Sequence, residues 1–290
     1  MSLKLLLTDA SNAIGSAIEH ELEREAFNLF VPKPGEVDWN KSTSVTQYVR
    51  LLRPDVVINC VGWEDIPNPA QLGQLTLAAQ QIAAACAPHN IPLIHLSSYK
   101  VFGGDNKSIH TEKDTPEPNS DAGRAFLAAE KSIEQQLTKW ISLRLSWVVG
   151  SYGENHLSRL LRELVDKQHA TVSSRLRGAP TALSDAARVA VAMAKQITCG
   201  AENWGVMHYC TSDACSEAEF AEQVLQVLQQ QQVLPESAEL NIVDQLPADE
   251  PVSAVLSAWR VRDYFGIQSR TWRPSLLPMI KQWMHTHIDA

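Results

Sequence analysis

The chain has 290 residues, enough for one large core or for a main domain with a smaller partner packed beside it. A hydrophobic share of 44% and a charged share of 20% describe an ordinary globular protein, and a net charge of −8 without any Lys/Arg cluster excludes the electrostatic footprint of a polyanion binder. No apolar run approaches the roughly 18 residues that a membrane span needs, so a cytoplasmic protein with neither nucleic-acid nor membrane partners is expected.

Residues 3–8 (LKLLLT) form a short apolar run that ends in turn formers, and a helical pattern follows over residues 12–24. The unit recurs. Residues 55–61 (DVVINCV) read as a second strand, 71–87 as an Ala/Gln/Leu-rich helix and 91–97 (IPLIHLS) as a third strand. A helix over 123–138 then leads into a strand over 141–149. Continuous rather than alternating apolar strands, separated by helices, predict a parallel sheet covered on both faces, with ligands beyond the carboxyl ends of its strands. After about Gly150 the pattern changes to longer helices and short strands, including 205–209 and 239–243. The Gln-rich stretch 223–232 reads as a solvated helix face. The expected fold is α/β, a doubly wound parallel sheet over residues 1–150 with a smaller α/β substrate lobe drawn mainly from 151–290, the chain being free to cross back between them.

The five cysteines, Cys60, Cys86, Cys199, Cys210 and Cys215, show no C-x-x-C spacing, and an odd number closes no complete disulfide set, so reduced thiols are expected. The nine histidines show no metal-ligand spacing; His95, inside a strand, reads as a satisfied core or cleft residue. There is no G-x-S-x-G elbow and no Walker-type G-K-S/T. Glu112 and Asp114 read as solvated.

Several segments, in order and at matching spacing, resemble the dTDP-4-dehydrorhamnose reductase family of extended short-chain dehydrogenases/reductases. Arg53-Pro-Asp-Val-Val-Ile-Asn59 is similar to a family strand, and His95-Leu-Ser-Ser98 with Val101-Phe102 to the segment H-V-S-T-D-Y-V-F. Arg144-Leu-Ser-Trp-Val-Val-Gly150, followed by Gly153 and Asn155, is similar to R-T-S-W-V-Y-G and its sequel. Gly178-Ala-Pro-Thr181 with Asp185, Gly205-Val-Met-His208, Glu219-Phe-Ala221, Phe265-Gly266 and Trp272 complete the series. The resemblance implies a Rossmann-type domain binding NADP or NAD, a cleft for a nucleotide-linked sugar, and hydride transfer to a 4-keto group. It places the cofactor near Thr8, Asp9, Asn12, Ala13, Ile14, Gly15, Asp38, Cys60 and Val61, and the substrate near Ser98, Tyr99, Trp147, Asn155, Pro180 and Thr181.

Two departures from the family pattern bear on chemistry. Where the family runs T-G-x-x-G-x-L/I-G, this chain has Thr8-Asp-Ala-Ser-Asn-Ala-Ile-Gly15, keeping only the third glycine. Asp9 and Asn12 tolerate positive φ better than most residues, so the turn itself is expected to survive. A carboxylate about 5 Å from a phosphate costs roughly 3 kcal/mol at an effective dielectric near 20, before screening, so dinucleotide binding is expected to be weak or absent. In the segment Y-G-R-S-K-L-A-x-E the chain reads Ala122-Gly-Arg-Ala-Phe126-Leu-Ala-Ala-Glu130, so the proton-donating Tyr is Ala122 and the Lys that assists it is Phe126. Ser98 matches the third member of that catalytic set. Tyr99 and Lys100 lie close by in sequence, but alternation at a strand end is expected to turn them to opposite sides.

The principal expectation is therefore a pseudoenzyme: a catalytically impaired reductase homologue acting as a binding or regulatory subunit, with a nucleotide-sugar ligand and a protein partner or a second copy of itself. Two alternatives stand beside it, an NAD(P)H-dependent sugar-nucleotide reductase or epimerase with an atypical proton donor, and a dinucleotide-sensing module.

Overall fold

The computed structural model describes residues 3–103, 105–247 and 250–287. Its centre is a sheet in which β1 (Leu3–Leu7) pairs in parallel with both β2 (Phe27–Phe30) and β3 (Val56–Asn59). β4 (Leu93–Ser98) and β5 (Trp140–Leu145) extend it from β3, again in parallel. Leu5, Leu6, Leu7, Val56, Val57, Ile58, Leu93 and Ile94 are all fully buried, which is why these strands are apolar on consecutive rather than alternate positions. Between the strands run α1 (Ala13–Leu22), α2 (Ser42–Leu52), α3 (Leu72–Cys86) and α4 (Asp121–Gln136).

The apolar stretch 141–149 is broken in two. After β5 the chain leaves the sheet at Ser146, and β6 (Val148–Val149) is a separate short strand. Then follow α5 (His156–Lys167), β7 (His169–Ser173), β8 (Arg177–Gly178) and β9 (Thr181–Ala182), the last pairing with β6. α6 (Leu183–Thr198) packs on α1 and leads into β10 (Gly205–Tyr209), which returns to the main sheet beside β5. The sheet thus has six strands in the order β10-β5-β4-β3-β1-β2. Its direction of winding reverses between β1 and β3, the position where open α/β sheets bind ligands.

Of the remaining elements, β11 (Cys215–Ser216), α7 (Glu217–Gln230), β12 (Glu239–Val243) and α9 (Arg273–His287) complete a smaller region in which β12 pairs with β7 and β11 with β8, whereas α8 (Trp259–Phe265) packs on β10 and α6. Val224 and Leu228 of α7 are buried while Gln226 and Gln230 are exposed, so the Gln-rich stretch forms the solvated face of an amphipathic helix. All five cysteines carry free thiols. Among the described residues no helix is long and apolar enough to cross a membrane.

One glycine in the first βα turn has a steric duty. A Cβ on Gly15 would lie 1.8 Å from the carbonyl oxygen of Asp9, so the helix can approach the strand this closely only without a side chain there. Gly73, in the first turn of α3, has nothing within 4 Å of such a Cβ. Gly15→Ala is expected to lower the unfolding free energy by about 1–3 kcal/mol, and Gly73→Ala to leave it equal or raise it by up to about 1 kcal/mol. Urea denaturation of the two variants checks the contrast.

Candidate functional site

The first βα turn satisfies its own polar groups. Asp9 Oδ1 accepts from the Ser11 N–H at 2.8 Å and from its hydroxyl at 2.6 Å, and Asp9 Oδ2 accepts from the Asn12 side-chain amide at 3.2 Å. That amide also donates to the Cys60 carbonyl at 2.7 Å, while Asn12 Oδ1 caps α1 by accepting the Gly15 N–H at 2.8 Å. Asn12 sits at φ −89°, and neither it nor Asp9 is among the described residues with positive φ. The turn therefore survives through side-chain hydrogen bonds, not through the left-handed backbone expected of these residues. The Cys60 thiol, pushed up to about 12 by burial, donates to the Asp9 carbonyl at 2.9 Å and ties the turn to the end of β3.

In the first turn of α1 the Gly15 N–H is taken by Asn12, and the Asp9 carboxylate stands at the position of the family's first glycine. Beside the turn lies a cavity of about 510 Å³ lined by Thr8, Asp9, Val31, Val37, Trp39 and Val61 among others. Asp38 is turned elsewhere: its carboxylate pairs with Lys41 at 3.1 Å and accepts the Asn40 N–H. Ala13 and Ile14 line a second, far smaller space of about 30 Å³ together with Trp63, Asp65, Val148 and Asn155.

The register of α4 is fixed at both ends. Ser120 caps it by accepting the Gly123 N–H at 3.1 Å, and a Cβ on Gly123 would lie 2.0 Å from the Lys100 carbonyl oxygen. At the other end Glu130 accepts two hydrogen bonds from Arg144, Nε to Oε1 at 2.8 Å and Nη2 to Oε2 at 2.6 Å. Between these anchors Ala122 presents only a methyl group and Phe126 is wholly buried in the core. Ser98 accepts the Lys100 N–H at 3.3 Å, capping the turn that follows β4.

That turn overturns the expectation for Tyr99 and Lys100. Residues Tyr99–Val101 form a 3₁₀ turn, so strand alternation ends at Ser98 and both side chains enter one buried cluster. Lys100 Nζ donates to Tyr99 Oη at 3.1 Å and pairs with Glu250 Oε1, while Tyr99 Oη donates to Glu250 Oε2 at 2.8 Å and lies 3.5 Å from His156 Nε2. Asp65 closes the group, its Oδ2 3.8 Å from His156 Nε2 and its Oδ1 accepting the Val148 N–H at 2.8 Å. Burial, reinforced by the Glu250 and Asp65 carboxylates, holds the Tyr99 phenol well above its ordinary range. Burial also pushes the Asp65 carboxyl up to about 7 against the pull of Lys100, and pushes the His156 imidazole well down with help from Arg159 and Lys100.

On the side of the smaller region, Trp147 is fully buried with its ring 4.8 Å from that of His156, and among the described residues its indole N–H has no hydrogen-bond partner. Gly178 makes room for it, since a Cβ there would lie 2.2 Å from the indole. Trp147, His156, Arg159, Glu217 and Phe220 enclose a space of about 10 Å³, enough for one water, behind an Arg159–Glu217 ion pair at 2.9 Å. Asn155 and Thr181 serve the backbone around it. Asn155 forms a capping box with Ser158 at the start of α5, and the Thr181 N–H donates to the Trp147 carbonyl at 2.7 Å. Pro180 accepts the Thr211 hydroxyl at 3.0 Å.

His95 is half satisfied: its Nδ1 lies 3.1 Å from Asn59 Nδ2, and burial lowers its pKa to about 4. Glu112 is not solvated as expected. It is partly buried, with its carboxyl raised by burial, whereas Asp114 pairs with Lys107 at 2.7 Å. Asp65, His156, Arg159, Glu217 and Glu250 escaped the sequence reading. Only His156 left a local signal, because it lies on the same stripe as Leu160 and Leu164 and so had to face inward. Among the described residues no group of three or more His, Cys, Asp or Glu side chains has metal-holding geometry.

Because the Asp65 carboxyl keeps its proton to higher pH folded than unfolded, it adds stability that is fully present below about pH 4 and is lost as the pH rises through about 7. Asp65→Asn does not titrate. The melting temperature of the natural protein minus that of Asp65→Asn is therefore expected to fall between pH 4 and pH 7; a flat or rising difference would rule out a raised carboxyl.

Comparison with known proteins follows the same lines as the fold. A dTDP-4-dehydrorhamnose reductase from Aggregatibacter actinomycetemcomitans is 25% identical over 285 residues, covering 94% of this chain and 97% of the relative. A solved dTDP-4-dehydrorhamnose reductase from Clostridium acetobutylicum superposes with a TM-score of 0.82 at 22% identity, over 96% of this chain and 99% of that one. The Bacillus anthracis reductase, solved in complex with NADP, gives 0.81 at 20% identity, over 97% and 100% of the two chains. MoeE5, solved in complex with UDP-glucose and NAD, gives 0.79 at 21%, over 98% and 99%. The family profile described as RmlD substrate binding domain matches residues 3–285, and the chain belongs to that family.

Proposed function

We propose that the chain is a catalytically impaired, dTDP-4-dehydrorhamnose reductase-like protein that recognises a nucleotide-linked sugar and acts chiefly through binding, as a regulatory or partner-directed subunit. One observation carries this reading. With the register of α4 held by Gly123 and Glu130, the two positions that deliver and tune a proton in the family hold a methyl group and a buried phenyl ring. The names of the relatives, and the UDP-glucose bound to MoeE5, support a nucleotide-linked sugar as the ligand class. Recognition would centre on the closed space beside Trp147, which opens only when half-exposed Arg159 parts from Glu217 and then offers the guanidinium and the unpartnered indole N–H to sugar or phosphate oxygens.

A second reading keeps the chain among the sugar-nucleotide reductases or epimerases, with Tyr99 Oη as the proton source and Lys100 as its neighbour. The 3.1 Å contact between them and the reductases among the relatives favour it. The Glu250 carboxylate weighs against it, because it takes the phenolic hydrogen bond and raises the phenol.

Calorimetric titration with dTDP and dTDP-sugars, followed by an assay of 4-keto-sugar reduction with NADPH and NADH, separates the two. The expected outcome is nucleotide-sugar binding that weakens in Trp147→Phe, with turnover at least about 100-fold below that of a reductase carrying Tyr and Lys. Failure to bind any nucleotide or nucleotide sugar would refute the proposal. Robust reduction abolished by Tyr99→Phe would establish the second reading instead.

A further inference from the structure

A cavity of about 300 Å³ opens between the last turn of α1, the first turns of α6 and the segment that leads into α9, and it shares no lining residue with the space beside Trp147 or with the cavity at the first βα turn. Its inner wall is already paired. The buried Asp185 carboxylate accepts Arg188 Nε at 2.9 Å and the Tyr209 hydroxyl, and Arg188 Nη2 donates to Tyr209 Oη at 3.1 Å. The Thr211 and Thr271 hydroxyls donate to the Pro180 carbonyl and to Asp213. Four groups of the lining have no such duty. Among the described residues the half-buried Glu21 carboxylate and the Ser184 and Ser275 hydroxyls have no hydrogen-bond or ion-pair partner, and the exposed Arg270 guanidinium comes only to 3.9 Å from Asp185, beyond hydrogen-bond range.

With Asp185 and Arg188 offsetting each other, the cavity keeps one uncommitted anion on the α1 side and one uncommitted cation on the α9 side, and no ion pair joins the two. A simple anion such as phosphate would meet Arg270 but be repelled by Glu21 and Asp185. It would gain little from the start of α9 either, where the Arg273 N–H faces Thr271 Oγ1 at 3.4 Å, Pro274 has no N–H and the Ser275 N–H donates to the Trp272 carbonyl. A simple cation would meet the reverse conflict. We infer that this cavity binds a free α-amino acid as its zwitterion. Its carboxylate receives the Arg270 guanidinium and the Ser275 hydroxyl, and its ammonium donates to Glu21 and to Ser184 Oγ. The inference is independent of nucleotide-sugar recognition beside Trp147, so either can fail alone.

The test is calorimetry on the full chain with L-alanine, L-glutamine and L-glutamate at low ionic strength, where exposed charges are least screened, with and without dTDP. At least one of these is expected to bind at millimolar concentration without displacement by dTDP. Its N-acetyl derivative, which lacks the ammonium, and its methyl ester, which lacks the carboxylate, are each expected to bind at least about tenfold more weakly. Glu21 and Arg270 donate and accept no side-chain hydrogen bond within the protein, so Glu21→Gln and Arg270→Gln leave the fold intact. Arg270→Gln is expected to erase the discrimination against the ester alone, and Glu21→Gln that against the N-acetyl derivative alone. Binding of inorganic phosphate or of the N-acetyl derivative as tightly as the free amino acid would overturn the inference, as would the absence of binding by all of the amino acids at millimolar concentration. Both of those outcomes are read on the natural chain.

Discussion

The buried ion pair between Glu130 and Arg144 ties α4 to the strands that carry Ser98 and lead into Tyr99 and Trp147. Arg144 lies on β5, its carboxylate partner on α4; the Ser97 hydroxyl of β4 donates to the same carboxylate, and His208 Nε2 of β10 lies 3.4 Å from the guanidinium. Removing both charges from water is expensive, and the bidentate geometry with an added hydroxyl is what repays it. Such a pair adds little net stability, yet it tolerates no sliding: a helix shifted by one residue would leave an uncompensated charge in the core. In the proposed reading this anchor keeps α4 in the family's register, with Ala122 and Phe126 at the positions of the family's Tyr and Lys.

The first βα turn shows the same separation of scaffold from chemistry. Of the three glycine duties in a dinucleotide loop, close packing of helix on strand is enforced by contact with the Asp9 carbonyl, and Gly15 persists. The other two duties, a tight turn and an open approach for phosphate, belong to the ligand as much as to the fold. Asp9 and Asn12 meet the first by hydrogen bonding the turn to itself, and in doing so place a carboxylate and an amide where the family has bare backbone. Folding constrains one glycine; binding constrained the other two.

The sheet was legible in the sequence because burial on both faces leaves an unmistakable record in runs such as DVVINCV. The shorter edge elements were not read: β2 is only partly buried and its four residues, FNLF, give too brief a signal. The return of β10 to the sheet could not be read either, since nothing in GVMHY distinguishes a strand of the main sheet from one of the smaller region. The site residues divide in the same way. Ser98, Trp147 and the α4 positions lie in segments with local pattern, whereas Tyr99 meets Glu250 across 151 residues and Val148 meets Asp65 across 83. Contacts of that range leave no periodicity behind. The alternation rule failed at Tyr99 and Lys100 for a different reason: it holds within a strand, and the strand stops one residue earlier than the rule needs.

The buried cluster then decides what a tyrosine beside a lysine is worth. In the family pattern a lysine placed one helical turn from the tyrosine lowers the phenol and eases proton delivery; the sign of the local field does the work, not the mere presence of an ammonium. Around Tyr99 the ammonium of Lys100 is matched by Glu250, and Asp65 adds a second carboxyl that burial holds close to neutral. Desolvation and these acidic neighbours act together to raise the phenol, and its proton is already engaged by Glu250. A phenol so placed resists ionising on transfer of its proton, which makes it a poor acid for a developing alkoxide. Proximity alone therefore does not make Tyr99 and Lys100 equivalent to the family's pair: the two side chains meet in the opposite electrostatic setting, and what this setting favours is a closed interior in which Lys100, Tyr99 and Glu250 hold one another.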